Sequence, residues 1–357
     1  MAESIKCPNC SASLRFDADA QQLVCDFCGA SIDPDTITTN PDETISFTSR
    51  EEPKSDADTW DDTESQAFIC NSCGATVITD KNTTATFCAF CGSPAMITER
   101  LKETEKPEYV LPFQYSREQA VAKFFKWCKG GRFTPLDFVS EKNIEKLTGL
   151  YVPFWLFDTE GVLDIEGTGK TVSVSTSGNT TTTTTRYYHV VRKSEVKWAL
   201  VPLDGASHIE DKYMESIEPF DYKNLELFDM KYMLGFYADR YDIKAEDLHA
   251  RLTTRLKEYL NDELTDSTKA YDKVTKERDS SVIYEPVTHY ALLPVWFMNY
   301  NYLGKQYRFI MNGQTGEIAG SVPVSRVKVI IACAVFLAIF GVIGRVIAGL
   351  ILGGFVG

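Results

Sequence analysis

The chain has 357 residues, ten of them cysteine, and a formal net charge of −13. Residues 1–98 hold sixteen Asp or Glu against five Lys or Arg (Lys6, Arg15, Arg50, Lys54 and Lys81) and so supply −11 of that charge. No nucleic acid is expected as a partner of this third, because counterion release from a phosphate backbone requires a basic footprint.

From the N-terminus, eight cysteines fall into two copies of one pattern. Cys7-x2-Cys10 is followed by Cys25-x2-Cys28, and Cys70-x2-Cys73 by Cys88-x2-Cys91, with fourteen residues between the pairs of each copy and an offset of 63 between copies. A two-residue gap lets both thiolates of one turn reach one ion, and the arm between pairs can run out and back as a hairpin, so each copy reads as a four-cysteine zinc ribbon and the chain as a holder of two Zn2+. Gly29, Gly74 and Gly92 follow three of the four pairs, where the chain turns tightly under the metal; Ser11 takes that place in the first. A disulfide framework belongs to oxidising compartments, and the start MAESIKCPNC carries no apolar signal run. Iron in a rubredoxin-like site shares the same ligand set and stays open. Thioredoxin-like use of CxxC needs one pair on a βαβ scaffold, not four at repeated spacing.

Residues 1–32 and 67–98 are thus predicted as the ribbons. Residues 33–66, rich in Asp, Glu, Thr, Ser and Pro, are predicted as an acidic flexible linker with one extended piece at Thr44 to Phe47 and a lone Trp60. Phe27, Phe87 and Phe90 stand beside the knuckles, where they either contact a protein partner or fill a ribbon's small core.

Residues 107–325 are long enough for one substantial domain or two duplicated halves. Ser116 to Lys129 reads as an amphipathic helix with Ser116 as N-cap and Gly130-Gly131 as its stop, and Ser140 to Thr148 as a shorter one. A β segment opens at Leu150-Tyr-Val-Pro-Phe-Trp-Leu-Phe-Asp158 and extends to about Leu200, interrupted by Ser177-Gly178-Asn179 and a threonine tract, Thr180 to Thr185, that reads as a hairpin tip. Residues 209–234 read as largely helical with a break at Pro219. Ala245 to Glu263 reads as the longest soluble helix, its Leu248, Leu252, Leu256 and Leu260 facing a core. Strands follow at Val282 to Tyr290, Leu292 to Leu303, Gln306 to Met311 and Glu317 to Val322, with Asn312-Gly313 and Thr315-Gly316 as turns needing positive φ. The Pro-x-Trp cores Pro153/Trp155 and Pro294/Trp296 echo one another, so their segments either pair or hold equivalent places in duplicated sheets. Cys128 and Cys333 read as packing residues.

From Val329 to Gly344 sixteen residues carry no charge, and the apolar sequence resumes after Arg345, which predicts a transmembrane helix over 327–352. Every face is apolar, unlike a buried core helix of a soluble protein. Arg326 and Lys328 before the span place the N-terminal portion in the cytoplasm of a single-pass cell-membrane protein. A hairpin turning at Arg345 is the alternative topology. Gly341, Arg345, Gly349 and Gly353, spaced by four, share one helix face and suggest self-association there.

The search for catalytic constellations is negative, so the chain reads as no enzyme. His189, His208, His249 and His289 fall in no HExxH pattern, and no GxSxG elbow occurs. Asp164-Ile-Glu-Gly-Thr-Gly-Lys-Thr171 matches a P-loop only at its end, with Asp164 in place of the first glycine and a strand where a helix must follow. Glu160, Asp164 and Glu166 alternate along an extended segment and read as a solvated strand face. The fold class is α+β: two small four-cysteine zinc ribbons, a mixed α/β soluble domain with antiparallel sheets, and one C-terminal transmembrane helix.

The doubled CxxC ribbon, the apolar C-terminal run and the phrases Tyr109-Val-Leu-Pro-Phe113, Tyr151-Val-Pro-Phe-Trp155, Tyr232-Met-Leu-Gly-Phe-Tyr-Ala-Asp-Arg-Tyr241 and Tyr307-Arg-Phe-Ile-Met-Asn-Gly-Gln-Thr-Gly316 together resemble the bacterial YdjG-type zinc-ribbon membrane proteins, over nearly the whole chain. Such chains often carry the labels TFIIB-type zinc ribbon protein or primosomal helicase, but helicase motor motifs are lacking here. The resemblance implies an assembly in the cell envelope with a flotillin-like SPFH protein and a TPM-domain membrane protein, linked to membrane stress. The expectation is a membrane-anchored scaffold or adaptor. A membrane-bound metal or redox enzyme and a membrane-tethered nucleic-acid-binding regulator are the competing classes.

Overall fold

The computed structural model describes residues 7–10, 12, 14–37, 65–80, 88, 90, 96–99, 105–131, 133–135, 138 and 147–353. The expected extended piece at 44–47, Trp60, Phe87, Cys91, Gly92 and most of the helix expected from Ser140 lie outside these residues. Thr148, expected to end that helix, opens a strand instead.

In chain order, β1 (Arg15–Asp17), β2 (Gln22–Val24) and β3 (Ser31–Ile32) form a small antiparallel sheet within the first cysteine module. The second module supplies β4 (Ser65–Cys70), β5 (Thr76–Asp80) and β6 (Met96–Glu99). Then follow β7 (Tyr109–Val110), helix α1 (Arg117–Gly130), and the paired strands β8 (Thr148–Ser177) and β9 (Thr180–Asp204). Ser116 caps α1 as expected, its hydroxyl accepting the Gln119 N–H. Helix α2 (Asp211–Ser216), β10 (Glu226–Leu227) and β11 (Tyr237–Asp239) lead to a 3-10 turn at Ala245–Leu248 that runs into helix α3 (His249–Ser267). The chain closes with β12 (Lys273–Asp279), β13 (Val282–Ile283), β14 (Val287–Tyr302), β15 (Lys305–Asn312), β16 (Ile318–Gly320) and helix α4 (Arg326–Gly353).

β8 is the spine of the large sheet. One of its edges meets β14, β13 and β12, and the other meets β11 and then β9. The two Pro-x-Trp segments both pair and occupy equivalent places. Val152 faces Leu293 in the antiparallel β8·β14 ladder, and about that point the contacts repeat. Tyr151 pairs in parallel with Ala238 of β11, and Leu292 with Val110 of β7. The Trp155 indole donates to the Ile243 carbonyl and the Trp296 indole to the Tyr115 carbonyl, each at 2.9 Å. Gly205 N–H donates to Pro153 O at 2.9 Å and Gly313 N–H to Pro294 O at 2.8 Å. A pseudo-twofold axis therefore relates β7, α1, β8 and β9 to β11, α3, β14 and β15, each half lending its first strand to the other half's spine.

Because these strands are buried on both faces they read as continuous apolar runs rather than alternating ones. Leu150, Val152, Phe154 and Leu156 face one core; Tyr151, Trp155 and Phe157 face the other, where α1 buries Ala120, Phe124 and Cys128 and α3 buries Leu252 and Leu256. The leucines at four-residue steps do face the core, with Leu260 and Leu264 continuing the stripe beneath the long hairpin. Beyond Lys170, where β12 ends its pairing, β8 and β9 run on with only each other, and the threonine tract begins β9 just after the turn at Gly178.

Two expectations and one alternative need correction. Residues 209–234 hold one short helix, α2, isolated 3-10 turns and the strand β10, because tertiary hydrogen bonds displace helix there: Asn312 Nδ2 donates to Ile217 O and Pro219 O, and the Gln314 amide bonds both backbone groups of Asp221. Gly313 is required for space rather than for positive φ, since a Cβ there would lie 2.7 Å from the Phe113 ring and 2.9 Å from Pro294. The helix α4 runs unbroken through Arg345, so no hairpin turns there.

Candidate metal centres

The first module brings Cys7, Cys10, Cys25 and Cys28 together with all four Sγ atoms within 4.8 Å of one another. The separations Cys7–Cys28 and Cys10–Cys25 are both 3.5 Å. A tetrahedron of sulfurs at about 2.3 Å from zinc has edges of about 3.8 Å, so the set fits one tetrahedral ion, whereas a disulfide needs about 2.05 Å. Each knuckle is built the same way: Cys7 N–H donates to Ala12 O at 2.9 Å and Cys25 N–H to Ala30 O at 2.8 Å, folding the turn back under the metal position. Gly29 closes its knuckle at φ +72°, a left-handed conformation that side chains with a Cβ rarely adopt.

The electrostatics call for a cation. The Cys28 amide, reinforced by the Phe27 amide, lowers the Cys25 thiol to about 7 against the desolvation that opposes it. Cys10 is aided by the Ala12 amide, yet burial and the sulfurs of Cys25, Cys28 and Cys7 push it up to about 12. A second thiolate 3.5 Å from the first is unfavourable without a positive charge between them.

The second module repeats the design. Cys70, Cys73 and Cys88 cluster within the same 4.8 Å limit, with Cys73 and Cys88 3.6 Å apart. Cys70 N–H donates to Ala75 O at 2.9 Å, and Gly74 turns at φ +79°. Both groups could hold a metal ion and their donor sets are consistent with zinc.

Neither module hangs free on a tether. In the first, Phe16 N–H donates to Leu234 O at 3.1 Å, the Phe16 ring meets Tyr232 edge-on at 5.5 Å, and Gln21 Nε2 donates to Phe113 O at 2.6 Å. Leu14, Phe16, Leu23, Cys7 and Cys25 belong to the same core as α1 and α3. In the second, β5 pairs antiparallel with β11, and Cys70, Val77, Cys88 and Phe90 join the core on the sheet's opposite face.

This placement separates the expected docking residues. Phe27 is 83% exposed at its knuckle. Phe90 is not a surface contact: it is 5% exposed, 4.2 Å from the His208 ring and 5.6 Å from Phe297, and its carbonyl accepts Asn299 Nδ2. Burial against strands some two hundred residues later in the chain makes it a core residue.

Beneath Phe90 lies a pair that the sequence reading missed. His208 Nε2 sits 2.7 Å from Asp239 Oδ2, and Asp239 is fully buried. Burial pushes the Asp239 carboxyl up to about 6 despite the hydrogen bond and charge of His208, while His208 is held above its ordinary value by Asp239 against its own desolvation. Residues 31 positions apart carry no spacing signal; β11 alone brings them together. His289 is a second such case, with Nδ1 2.9 Å from Glu108 and Nε2 3.7 Å from Asp158. The acidic strand face is a cross-strand ladder of polar pairs: Glu160 forms an ion pair with Lys197 at 2.8 Å, Asp164 with Lys193 at 3.1 Å, and Glu166 shares a hydrogen bond with His189 at 2.9 Å. The segment 164–171 is a strand inside β8, and a Cβ at Gly167 would collide with the Thr275 carbonyl, so its glycines serve strand packing rather than phosphate.

Among the described residues, α4 is the one helix long and apolar enough to cross a membrane, and none of its 20-residue apolar window is buried. Gly341 has open space on its face.

The chain is 33% identical over 330 residues, 92% of each chain, to a protein of Bacillus subtilis (strain 168) named only as the uncharacterized protein YdjG. No family model matches the sequence, and no solved structure matches the chain.

Proposed function

This chain belongs to the YdjG family, and on that footing we propose that it is a membrane-anchored zinc-ribbon scaffold: each cysteine module holds one Zn2+, α4 spans the cell membrane, and the N-terminal portion faces the cytoplasm to dock protein partners. The four-thiolate sets supply closed structural sites with no open coordination position for a substrate. Arg326 and Lys328 at the start of α4 favour the cytoplasmic orientation. The partners proposed are a flotillin-like SPFH protein and a TPM-domain membrane protein, in a response to membrane stress.

The carrying observation is Phe27, 83% exposed on a module whose Leu14, Phe16 and Leu23 are turned into the body. A rigid, exposed aromatic beside a metal-pinned turn is the kind of anchor that protein interfaces use. The acidic N-terminal third steers basic surfaces toward it.

The test is affinity purification of the full chain from solubilised membranes, wild type against Phe27→Ala. Recovery of the SPFH and TPM-domain proteins should fall while metal analysis still finds zinc in both modules and no iron. Undiminished recovery would remove the docking role of Phe27, and iron in place of zinc would overturn the metal assignment. Deleting residues 1–98 is a poorer test, since it strips β4, β5 and β6 from the sheet.

A further inference from the structure

The pseudo-twofold axis makes α1 and the helical stretch 245–267 structural counterparts, yet their charges are opposite. Arg117–Gly130 carries Arg117, Lys123, Lys126 and Lys129 against Glu118 alone, a net charge of +3. Residues 245–267 carry three Arg or Lys against Glu246, Asp247, Glu258, Asp262, Glu263 and Asp266, a net charge of −3. The fold itself therefore does not ask for the lysines of α1. What differs is location. The loop that follows α1 is tied to the first turn of α4: Ser325 N–H donates to Phe133 O at 2.8 Å, and Lys328 Nζ donates to Thr134 O at 2.7 Å. Lys129 is four residues before Phe133, within about 14 Å even if that stretch were fully extended, and Lys126 lies about 5 Å further along the helix.

The outer face of α1 presents Ala122, Phe125, Lys126 and Lys129 around a shallow hollow, while Ala120, Phe124 and Cys128 face the core. Lys126 and Lys129 are exposed, and neither forms an ion pair among the described residues, in a chain with 50 acidic residues against 37 Lys and Arg. Lys123, by contrast, is used internally, lying over the Tyr115 ring and donating to Gly316 O.

We propose that the outer face of α1, through Phe125, Lys126 and Lys129, lies against the anionic headgroups of the bilayer that α4 spans. The apolar ring and lysine stems meet the interfacial region while the ammonium groups reach the phosphates. This contact fixes the tilt of the body over the membrane. The inference rests on the reading of α4 as a membrane span.

The test uses the full-length protein in nanodiscs of phosphatidylcholine with or without phosphatidylglycerol, and reads the acylation rates of individual lysines by mass spectrometry. Lys257, exposed on α3, is the internal reference. Lys126 and Lys129 should each react about fivefold more slowly in the anionic discs, the weight of one lysine near such a surface, and the protection should vanish as salt shortens the Debye length. Equal rates in both discs, with the protein still co-purifying with them, would overturn the α1 contact and leave the anchor standing. Failure of the protein to enter discs at all would overturn both.

Discussion

Truncating Phe16 should uncouple the first cysteine module from the body without disturbing its four thiolates. The ring is 1% exposed in β1, edge-on to Tyr232, and its own backbone N–H holds Leu234 O at 3.1 Å. Phe→Ala at a buried site costs about 3–5 kcal/mol. The ring also touches the module's own small core, so roughly 3 kcal/mol falls on the docking contact, which at 1.4 kcal/mol per decade is about a hundred-fold in the docking equilibrium. The segment Tyr232 to Phe236 reports it: the Phe236 amide donates to Met233 O at 3.0 Å, in a turn that the module covers. Hydrogen exchange of this amide in Phe16→Ala should quicken by about that factor, while zinc content stays at the wild-type level because all four thiolates remain. Phe27→Ala, at a site 83% exposed, should leave exchange unchanged. Unaltered exchange in Phe16→Ala would show that the module is not part of the body's core, and loss of zinc would show that the ring supports the metal site itself.

Gly313→Ala should destabilise the body by about 1–3 kcal/mol, because its Cβ would lie 2.7 Å from Phe113 and 2.9 Å from Pro294, whereas Gly304→Ser, in open space at φ +75°, should cost only backbone strain; urea midpoints of the two variants measure the difference. His289 gives a pH dependence. Although burial opposes it, the neighbouring Asp158 and Glu108 raise its pKa from 6.5 to about 9, so the stabilising imidazolium is fully present below about 6.5 and is lost as pH rises through about 9. Stability should fall by on the order of 2 kcal/mol across that window, and denaturation midpoints of His289→Gln should lose this slope; an unchanged slope in the variant would assign it to another group.

The local features were legible because their causes are local. The CxxC pairs position two sulfurs within one turn, so spacing alone located in 1–98 the two cysteine groups that could hold a metal ion, and Ser116 with its following apolar period specified α1. Leu248 to Leu260 reads as a buried stripe in sequence because one helix face fixes its direction. By contrast, β12, the charged run Lys273–Asp279, has no strand pattern of its own and extends because β8 offers it an unpaired edge.

What only the tertiary structure decided are the relations between distant segments. Phe27 and Phe90 sit at matching places beside their knuckles, yet one is exposed and the other buried, because β14 and His208 close over the second module alone. The equivalence of Gly205 with Gly313, and of the two indole hydrogen bonds, depends on strand register across the pseudo-twofold axis. The opposite charges of α1 and its counterpart are written in the sequence, but they became comparable only when the sheet showed that the two helices hold the same place. Turn geometry and helix period arise from covalent neighbours and can be read from them; burial and strand register arise from contacts between residues a hundred or more positions apart, and the linear order does not contain the packing that chooses among them.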